Sequence, residues 1–247
     1  MKNNPYQTLL SLLSDKRIYT SQDFLALIDK EGQNSLQSHY RWIVYQMAKE
    51  GLIKRIGRGK YIKADDHKTY VSEPLSASAA SSSKVLKKSY PDMSFVIFES
   101  SALNEWLNEL IARPTIIIEV DSNYLEEAYY ALAEKTKLPV LLKPNEKEMT
   151  HYRVGKTIVI EPLFSRAPVQ KDSHSPSLEQ LMVDLVADRY FSYFFSQSEL
   201  PEMYESMISS YIVNRDSLFS YAKRRRVYEK MLPLLPPSFL GNETTNG

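Results

Sequence analysis

The sequence predicts a mixed α+β and α/β protein in which a small N-terminal unit precedes a larger α/β unit with a C-terminal helical portion. Three observations predict this class. The first 63 residues place helix-like apolar spacing ahead of two short strands, the middle of the chain alternates apolar strand runs with helical segments, and after Ser175 the apolar spacing becomes helical. With 247 residues, 43% of them hydrophobic, the chain is long enough for two packed units.

Three helices are predicted at the start of the chain. The first covers residues 5–13, and Thr20 or Ser21 can cap the second, which precedes a turn at residues 31–34. The third covers residues 35–50, because its apolar residues fall within one arc at about 100° per residue. The other arc and its N-terminal flank carry polar, basic and aromatic side chains: Asn34, Gln37, Ser38, Arg41, Trp42 and Tyr45.

A basic hairpin is predicted directly after the third helix. Residues 52–56 and 60–63 have strand character, and the glycines around Arg58 suit a tight turn. Arg55 and Lys60 flank this tip. Three helices followed by two strands are the order of a winged helix-turn-helix, so residues 1–70 are predicted to bind double-stranded DNA through the third helix and the hairpin.

The distribution of charge supports this prediction. Residues 1–63 hold 11 lysines and arginines but 5 aspartates and glutamates, whereas the whole chain has a formal net charge of +1. The positive excess therefore lies in the N-terminal segment, where it can neutralise phosphates. Two alternatives stay open: a winged helix that binds protein, and a packing role for Trp42 and Tyr45.

The rest of the chain divides by composition. Residues 71–89 are rich in serine and alanine and are predicted to form a linker, and residues 241–247 a frayed tail. Residues 90–240 are predicted to form the α/β domain. Its strands are expected at residues 95–98, 115–120, 139–142 and 157–160, and its helices at residues 101–112, 124–135, 176–186, 201–211 and 215–234.

No motif predicts catalysis. The chain has no cysteine and 4 histidines, and it lacks the phosphate-binding loops and nucleophile motifs of common enzymes. We therefore predict a cytoplasmic protein that is not an enzyme and has no metal site and no cofactor. The alternative is a divergent nuclease or nucleotide-modifying enzyme. A nuclease would use Asp92, Glu119 and Asp121, although Asp121 stands where such enzymes have lysine.

Two charged groups in the C-terminal half remain to be assigned. Asp184 and Asp188 lie four residues apart and share one side of a predicted helix. A basic run near the C-terminus consists of Lys223, Arg224, Arg225 and Arg226. The acids can pair with this run, or the run can contact a partner or a second stretch of nucleic acid; otherwise both are solvated helix faces.

Four stretches together resemble one known family. They are LIKRIGRGKY at residues 52–61, VIEPLFSRAPVQ at 159–170, PSLEQLMVDL at 176–185 and YAKRR at 221–225. In this combination and order the chain resembles the AbiEi-type antitoxins and transcriptional regulators of type IV abortive-infection toxin–antitoxin systems. The resemblance implies a repressor that binds repeats in its own promoter and counteracts a nucleotidyltransferase-like toxin. A regulator that responds to a small-molecule effector is the alternative. Separately, no apolar run approaches the roughly 18 residues needed to span a bilayer, so no membrane partner is predicted.

Overall fold

The computed structural model describes residues 5–13, 18–30, 40–64, 68–152, 156–170 and 174–240. Within them the protein is a mixed α+β fold with two small sheets, which confirms the predicted class at this level. Asn34, Gln37 and Ser38, predicted to contact DNA, and the predicted tail lie outside the described residues. Within the described ranges, no helix has the length and apolarity needed to cross a bilayer.

The N-terminal sheet has three antiparallel strands in the order β1-β3-β2. Helices α2 and α3 pack against its strands, around a core that includes Phe24, Ile43 and Met47. Thr20 caps the start of α2 because its hydroxyl oxygen accepts the N–H of Asp23 at 3.2 Å. In return, the N–H and the hydroxyl of Thr20 donate to Asp23 Oδ2, both at 2.7 Å. The elements are α1 (Pro5–Leu12), β1 (Tyr19–Thr20), α2 (Ser21–Lys30), α3 (Tyr40–Lys49), β2 (Ile53–Gly57) and β3 (Lys60–Lys63).

The second sheet has four strands in the order β4-β5-β7-β6. Strand β4 is antiparallel to β5, whereas β5, β7 and β6 run parallel. The strands are β4 (Phe95–Glu99), β5 (Ile116–Val120), β6 (Val140–Leu142) and β7 (Ile158–Pro162). Alternate residues face two separate cores: Ile116 and Ile118 lie in one, and Ile117 lies in the other.

Helices cover both faces of this sheet. The first core packs under α4 and α5, and the second packs under the helices from α7 onward. The helices are α4 (Ala77–Ser89), α5 (Leu125–Lys135), α6 (Glu146–Tyr152), α7 (Leu178–Ala187), α8 (Leu200–Ser210), α9 (Arg215–Arg224), α10 (Tyr228–Met231) and α11 (Pro237–Leu240).

The predicted linker at residues 71–89 is wrong over most of its length, because it contains α4. Ser76 caps this helix by accepting the N–H of Ala79 at 3.3 Å, and Ala79 and Leu86 are fully buried against the sheet. Small side chains let the helix approach the strands closely. The buried hydroxyl of Ser82 is satisfied by the carbonyl oxygen of Ser78, at 3.1 Å.

Two predicted helices also differ from the structure. The helix predicted at residues 101–112 is a 3-10 helix over Ser100–Glu105, after which the side-chain oxygen of Asn104 accepts the N–H of Ile111 at 2.8 Å. The helix predicted at residues 215–234 breaks after Arg224. There Arg226 has φ 57°, and the N–H of Val227 donates to the carbonyl oxygen of Ala222, which is the geometry of a Schellman motif.

The N-terminal sheet and the C-terminal helices touch directly. The hairpin of β2 and β3 packs against α9, where Asp216 accepts the backbone N–H of Arg58. Further along, Lys68 forms a backbone bridge with Tyr211, and the N–H of Lys68 donates to the carbonyl oxygen of Ser210 at 2.9 Å. The hairpin therefore has a fixed neighbour in the second half of the chain.

Candidate nucleic-acid interface and buried acidic centre

Helix α3 has one buried face and one exposed face. Ile43 and Met47 are buried in the N-terminal core, whereas Trp42 and Tyr45 are 53% and 61% exposed. Arg41 lies on the exposed side, where its Nε donates to the Tyr40 hydroxyl at 3.1 Å. Exposed aromatic residues beside an arginine form a surface that suits the edges of bases and the thymine methyl group.

The hairpin presents the second group of predicted residues. Arg58 is exposed at the turn, and Gly59 beside it has φ +67°, a conformation that favours glycine. Arg55 is exposed on β2, where its Nε donates to the carbonyl oxygen of Gly57 at 2.9 Å, and Lys60 is partly buried opposite Gly57. The structure thus brings these three predicted basic residues together on one hairpin that packs next to α3.

Asp216 is a part of this surface that the sequence did not reveal. A Cβ atom added to Gly57 would come within 3.0 Å of Asp216 Oδ1, so the carboxylate lies directly on the hairpin backbone. Its negative charge sits beside the tip and partly offsets the charge of Arg58. No local signal around Asp216 predicts this contact, because 158 residues separate it from Arg58.

A buried acidic centre lies at the C-terminal end of α9, where Arg225 binds Asp184. Glu119 on β5 faces the same side of the sheet as Ile117, toward α7. Asp184 on α7 and Asp188 at its end are one helical turn apart, and Asp184 is only 1% exposed. One oxygen of each of the three carboxylates lies within 4.8 Å of the others.

Hydrogen bonds hold the acidic centre together. The Gln180 side chain donates to Glu119 Oε2 at 2.7 Å, and the Tyr190 hydroxyl donates to Glu119 Oε1 at 3.1 Å. The Tyr221 hydroxyl donates to Asp184 Oδ1 at 3.0 Å. These neutral donors satisfy buried oxygens but bring no positive charge.

Arg225 supplies positive charge to the centre. Its Nη1 lies 2.7 Å from Asp184 Oδ1, and its Nη2 binds Asp188 Oδ1. The guanidinium is almost covered, with 11% of the side chain exposed. Of the alternatives left open by the sequence, the structure therefore shows the two aspartates paired with one residue of the basic run, Arg225.

The carboxyl groups of the centre have raised pKa values. Burial, followed by the charges of Asp184 and Asp188, raises the pKa of Glu119 well above its usual range. Burial and the Asp188 charge raise the pKa of Asp184 to about 8, although Arg225 and two hydrogen bonds oppose this shift. Burial also raises the pKa of Asp188, against the opposing effect of Arg225.

The acidic centre opens into a cavity of about 760 Å³ beyond the ends of β6 and β7. Asp188 and Tyr190 line it from the side of the centre, and Glu161 lines it from β7. Burial and the charge of Asp188 together raise the pKa of Glu161 to about 7, against the opposing effect of Lys143. This edge is where open parallel sheets bind ligands.

The basic run does not form a single surface. Arg225 points inward, which corrects its predicted role as a second nucleic-acid or partner contact, since its donors are used by buried carboxylates. Lys223 lies over the Tyr228 ring, 4.7 Å from its centroid, and Arg224 and Arg226 are exposed. The three outer residues can still contact a partner.

The acids considered for a nuclease occupy different surroundings. Glu119 belongs to the buried centre, whereas Asp121 caps a short 3-10 helix by accepting the N–H of Asn123 at 2.9 Å. Asp92 is exposed in the turn that precedes β4. The structure therefore joins Glu119 to Asp184 and Asp188, a grouping that requires the fold and not the local sequence.

These features define a class of α+β protein. Its N-terminal part has a basic hairpin and a helix with exposed aromatic side chains, and its second part has a four-stranded sheet over a buried acidic centre. Residues 39–238 match the model of a family of unknown function, DUF6577, and the chain belongs to that family. The match includes α3, the hairpin and every residue of the acidic centre. No curated protein matches the chain.

Proposed function

We propose that the chain is a DNA-binding transcriptional repressor whose residues 1–70 form a winged helix-turn-helix. One observation carries this proposal: α3 buries one face and exposes Arg41, Trp42 and Tyr45, while the adjoining hairpin exposes Arg58. An apolar core face opposite a basic and aromatic face is the arrangement expected of a recognition helix.

The two elements would have different tasks on DNA. The major groove of DNA admits an α-helix, and an arginine on it can bond two acceptors of guanine. Arg41 is the candidate for this contact, and Trp42 and Tyr45 offer apolar surface to thymine methyl groups. Arg58, at the hairpin tip, would contact phosphate or a narrow minor groove, which fixes position more than sequence.

The second half of the chain is proposed to carry antitoxicity. The support is the resemblance of four stretches to the AbiEi-type family, three of which lie in this half. On this proposal the protein acts in the cytoplasm, binds repeats in its own promoter and counteracts a nucleotidyltransferase-like toxin. Lys223, Arg224 and Arg226 remain exposed for such a partner.

DNA footprinting tests the repressor proposal. The full chain should protect a short, repeated sequence in the DNA upstream of its own gene. Arg58→Ala should weaken protection at every position, whereas Lys87→Ala, which changes an exposed residue in the last turn of α4, serves as the matched control. Equal protection of all DNA by the wild type would argue against a repressor.

Co-expression tests antitoxicity separately. A neighbouring nucleotidyltransferase-like gene should arrest growth when expressed alone, and the full chain should restore growth. Arg58→Ala should restore growth as well as the wild type does, because the proposal assigns this activity to the second half. Failure of both proteins to restore growth would remove the antitoxin proposal and leave DNA binding intact.

A further inference from the structure

We propose that Glu119, Asp184 and Asp188 bind one divalent cation of the Mg²⁺ and Mn²⁺ type, with the side-chain oxygen of Gln180 as an additional ligand. This site is independent of the DNA-binding proposal. It lies in the second half of the chain, between β5 and α7, and it uses only oxygen ligands, which these hard cations prefer.

The spacing of the carboxylates suits such an ion. Their ligand oxygens lie within 4.8 Å of one another. In an octahedral site with metal–oxygen distances near 2.1 Å, opposing oxygens are about 4.2 Å apart, and neighbouring oxygens are closer. Side-chain rotations that shorten these distances by a few tenths of an ångström or more would bring the oxygens to coordination distance.

Gln180 provides a second and independent observation. Its side chain is completely buried, and its Nε2 is bonded to Glu119 Oε2, so the carboxamide points into the acidic centre. Its Oε1 has no hydrogen-bond partner among the residues that the structure describes. A buried oxygen acceptor without a donor is costly. Rotation of the carboxamide by half a turn would replace the Nε2 bond to Glu119 with a bond from Oε1 to a cation beside Glu119.

The charges of the centre leave room for two positive charges. Among the side chains that the structure describes, Arg225 supplies the ion pairs of this centre, to Asp184 and Asp188. Glu119 is bonded to neutral donors. Buried charge has to be neutralised, and one divalent cation together with Arg225 would balance three ionised carboxylates. Arg225 contacts only the Oδ1 atom of each aspartate, so the ion and the guanidinium can be bound together.

The ion has a route into the site. Asp188 lines the cavity of about 760 Å³ beyond β6 and β7, and 24% of its side chain is exposed. Glu161 and Asn145 line the same cavity and would attract a hydrated cation or hold its remaining water molecules. A divalent ion can therefore reach Asp188 from this cavity, and Glu119 and Asp184 each present an oxygen within 4.8 Å of the Asp188 ligand atom.

The test is titration of the EDTA-treated full chain with Mn²⁺, followed by electron paramagnetic resonance and calorimetry. One Mn²⁺ per chain should bind, and Mg²⁺ should displace it. Asp188→Asn and Glu119→Gln should each weaken binding at least about tenfold. Asp121→Asn is the matched control, because Asp121 is two residues from Glu119 but caps a 3-10 helix and is not part of the proposed site. The affinity of this variant for Mn²⁺ should equal that of the wild type.

Circular dichroism of each variant verifies that it folds. Should Glu119→Gln unfold, Asp188→Asn still tests the site, since Asp188 is the most exposed ligand. In the wild type, bound Mn²⁺ should broaden the NMR signals of Glu119, Gln180 and Asp184 first. Absence of stoichiometric binding, unchanged affinity in Asp188→Asn, or broadening confined to exposed acids such as Glu146 would each overturn the proposal.

Discussion

Asp216, in the first turn of α9, accepts the backbone N–H of Arg58 at the tip of the basic hairpin. The bond joins the proposed DNA-binding surface to the helix whose last residues lead into Arg225 and the acidic centre. The hairpin therefore does not project freely into solvent. Its backbone is held from behind, and the side chain of Arg58 remains exposed.

Asp216→Asn should strengthen DNA binding. The substitution removes a negative charge next to the tip. In solvent, the repulsion between such a charge and a nearby phosphate lowers the affinity by about twofold. The bond to Arg58 becomes neutral, so the free energy of unfolding should fall by less than about 1 kcal/mol. Fluorescence anisotropy at low salt measures the affinity, and Glu229→Gln on α10 is the control at an exposed acid. Weaker binding by Asp216→Asn would show that the carboxylate positions the hairpin instead of repelling DNA.

Arg225→Met should destabilise the fold. The substitution leaves Asp184 and Asp188 without their cation, and breaking a buried pair in this way costs about 3 kcal/mol. Arg224→Met changes the preceding, exposed residue and should cost less than about 0.5 kcal/mol. Urea unfolding in EDTA measures both. Equal effects of the two substitutions would mean that the buried pair adds nothing.

Glu161 should make stability depend on pH. Its pKa rises from 4.5 to about 7 on folding, so between these values the folded protein holds a proton that the unfolded chain has released. This contribution is complete below about pH 4.5 and is lost as the pH rises to about 7. Glu161→Gln should therefore flatten the fall of the unfolding free energy between pH 5 and pH 7, measured by urea unfolding in EDTA. An unchanged slope would contradict the assignment.

Arg226→Gly should stabilise the end of α9. Arg226 has φ 57°, a conformation that glycine adopts without the strain of a side chain. The gain should be up to about 1 kcal/mol in thermal unfolding. Lys223→Gly lies inside the helix and should destabilise by about 1 kcal/mol, so the two glycines should act in opposite directions.

Much of the secondary structure could be predicted from the sequence because apolar spacing is local. The strands of the second sheet and α3 follow from such spacing, since each buries one recognisable set of side chains. Helix α4 did not, because its serines and alanines have little apolar surface, and only close packing against the sheet makes them core residues. The composition of residues 77–89 therefore does not predict that they pack against the sheet.

The candidate sites divide in the same way. The exposed face of α3 could be predicted from helical phase. The pairing of Asp184 with the basic run is one of several alternatives, and only the packing of α7 against α9 selects Arg225. Glu119 could not be joined to them, because the strand order places it beside α7 across 65 residues of sequence. Asp216 likewise meets the hairpin only through the packing of α9.

The central claim is tested most directly by the equilibrium affinity of the full chain for its own promoter DNA, compared with a shuffled sequence of equal length. At physiological salt, the wild type should prefer the promoter. Arg41→Ala should reduce that preference by about 1 to 3 kcal/mol, and Arg58→Ala should weaken binding to both DNAs and lower the salt dependence by about one ion. Equal affinity for the two DNAs, unchanged in both folded variants, would contradict the account.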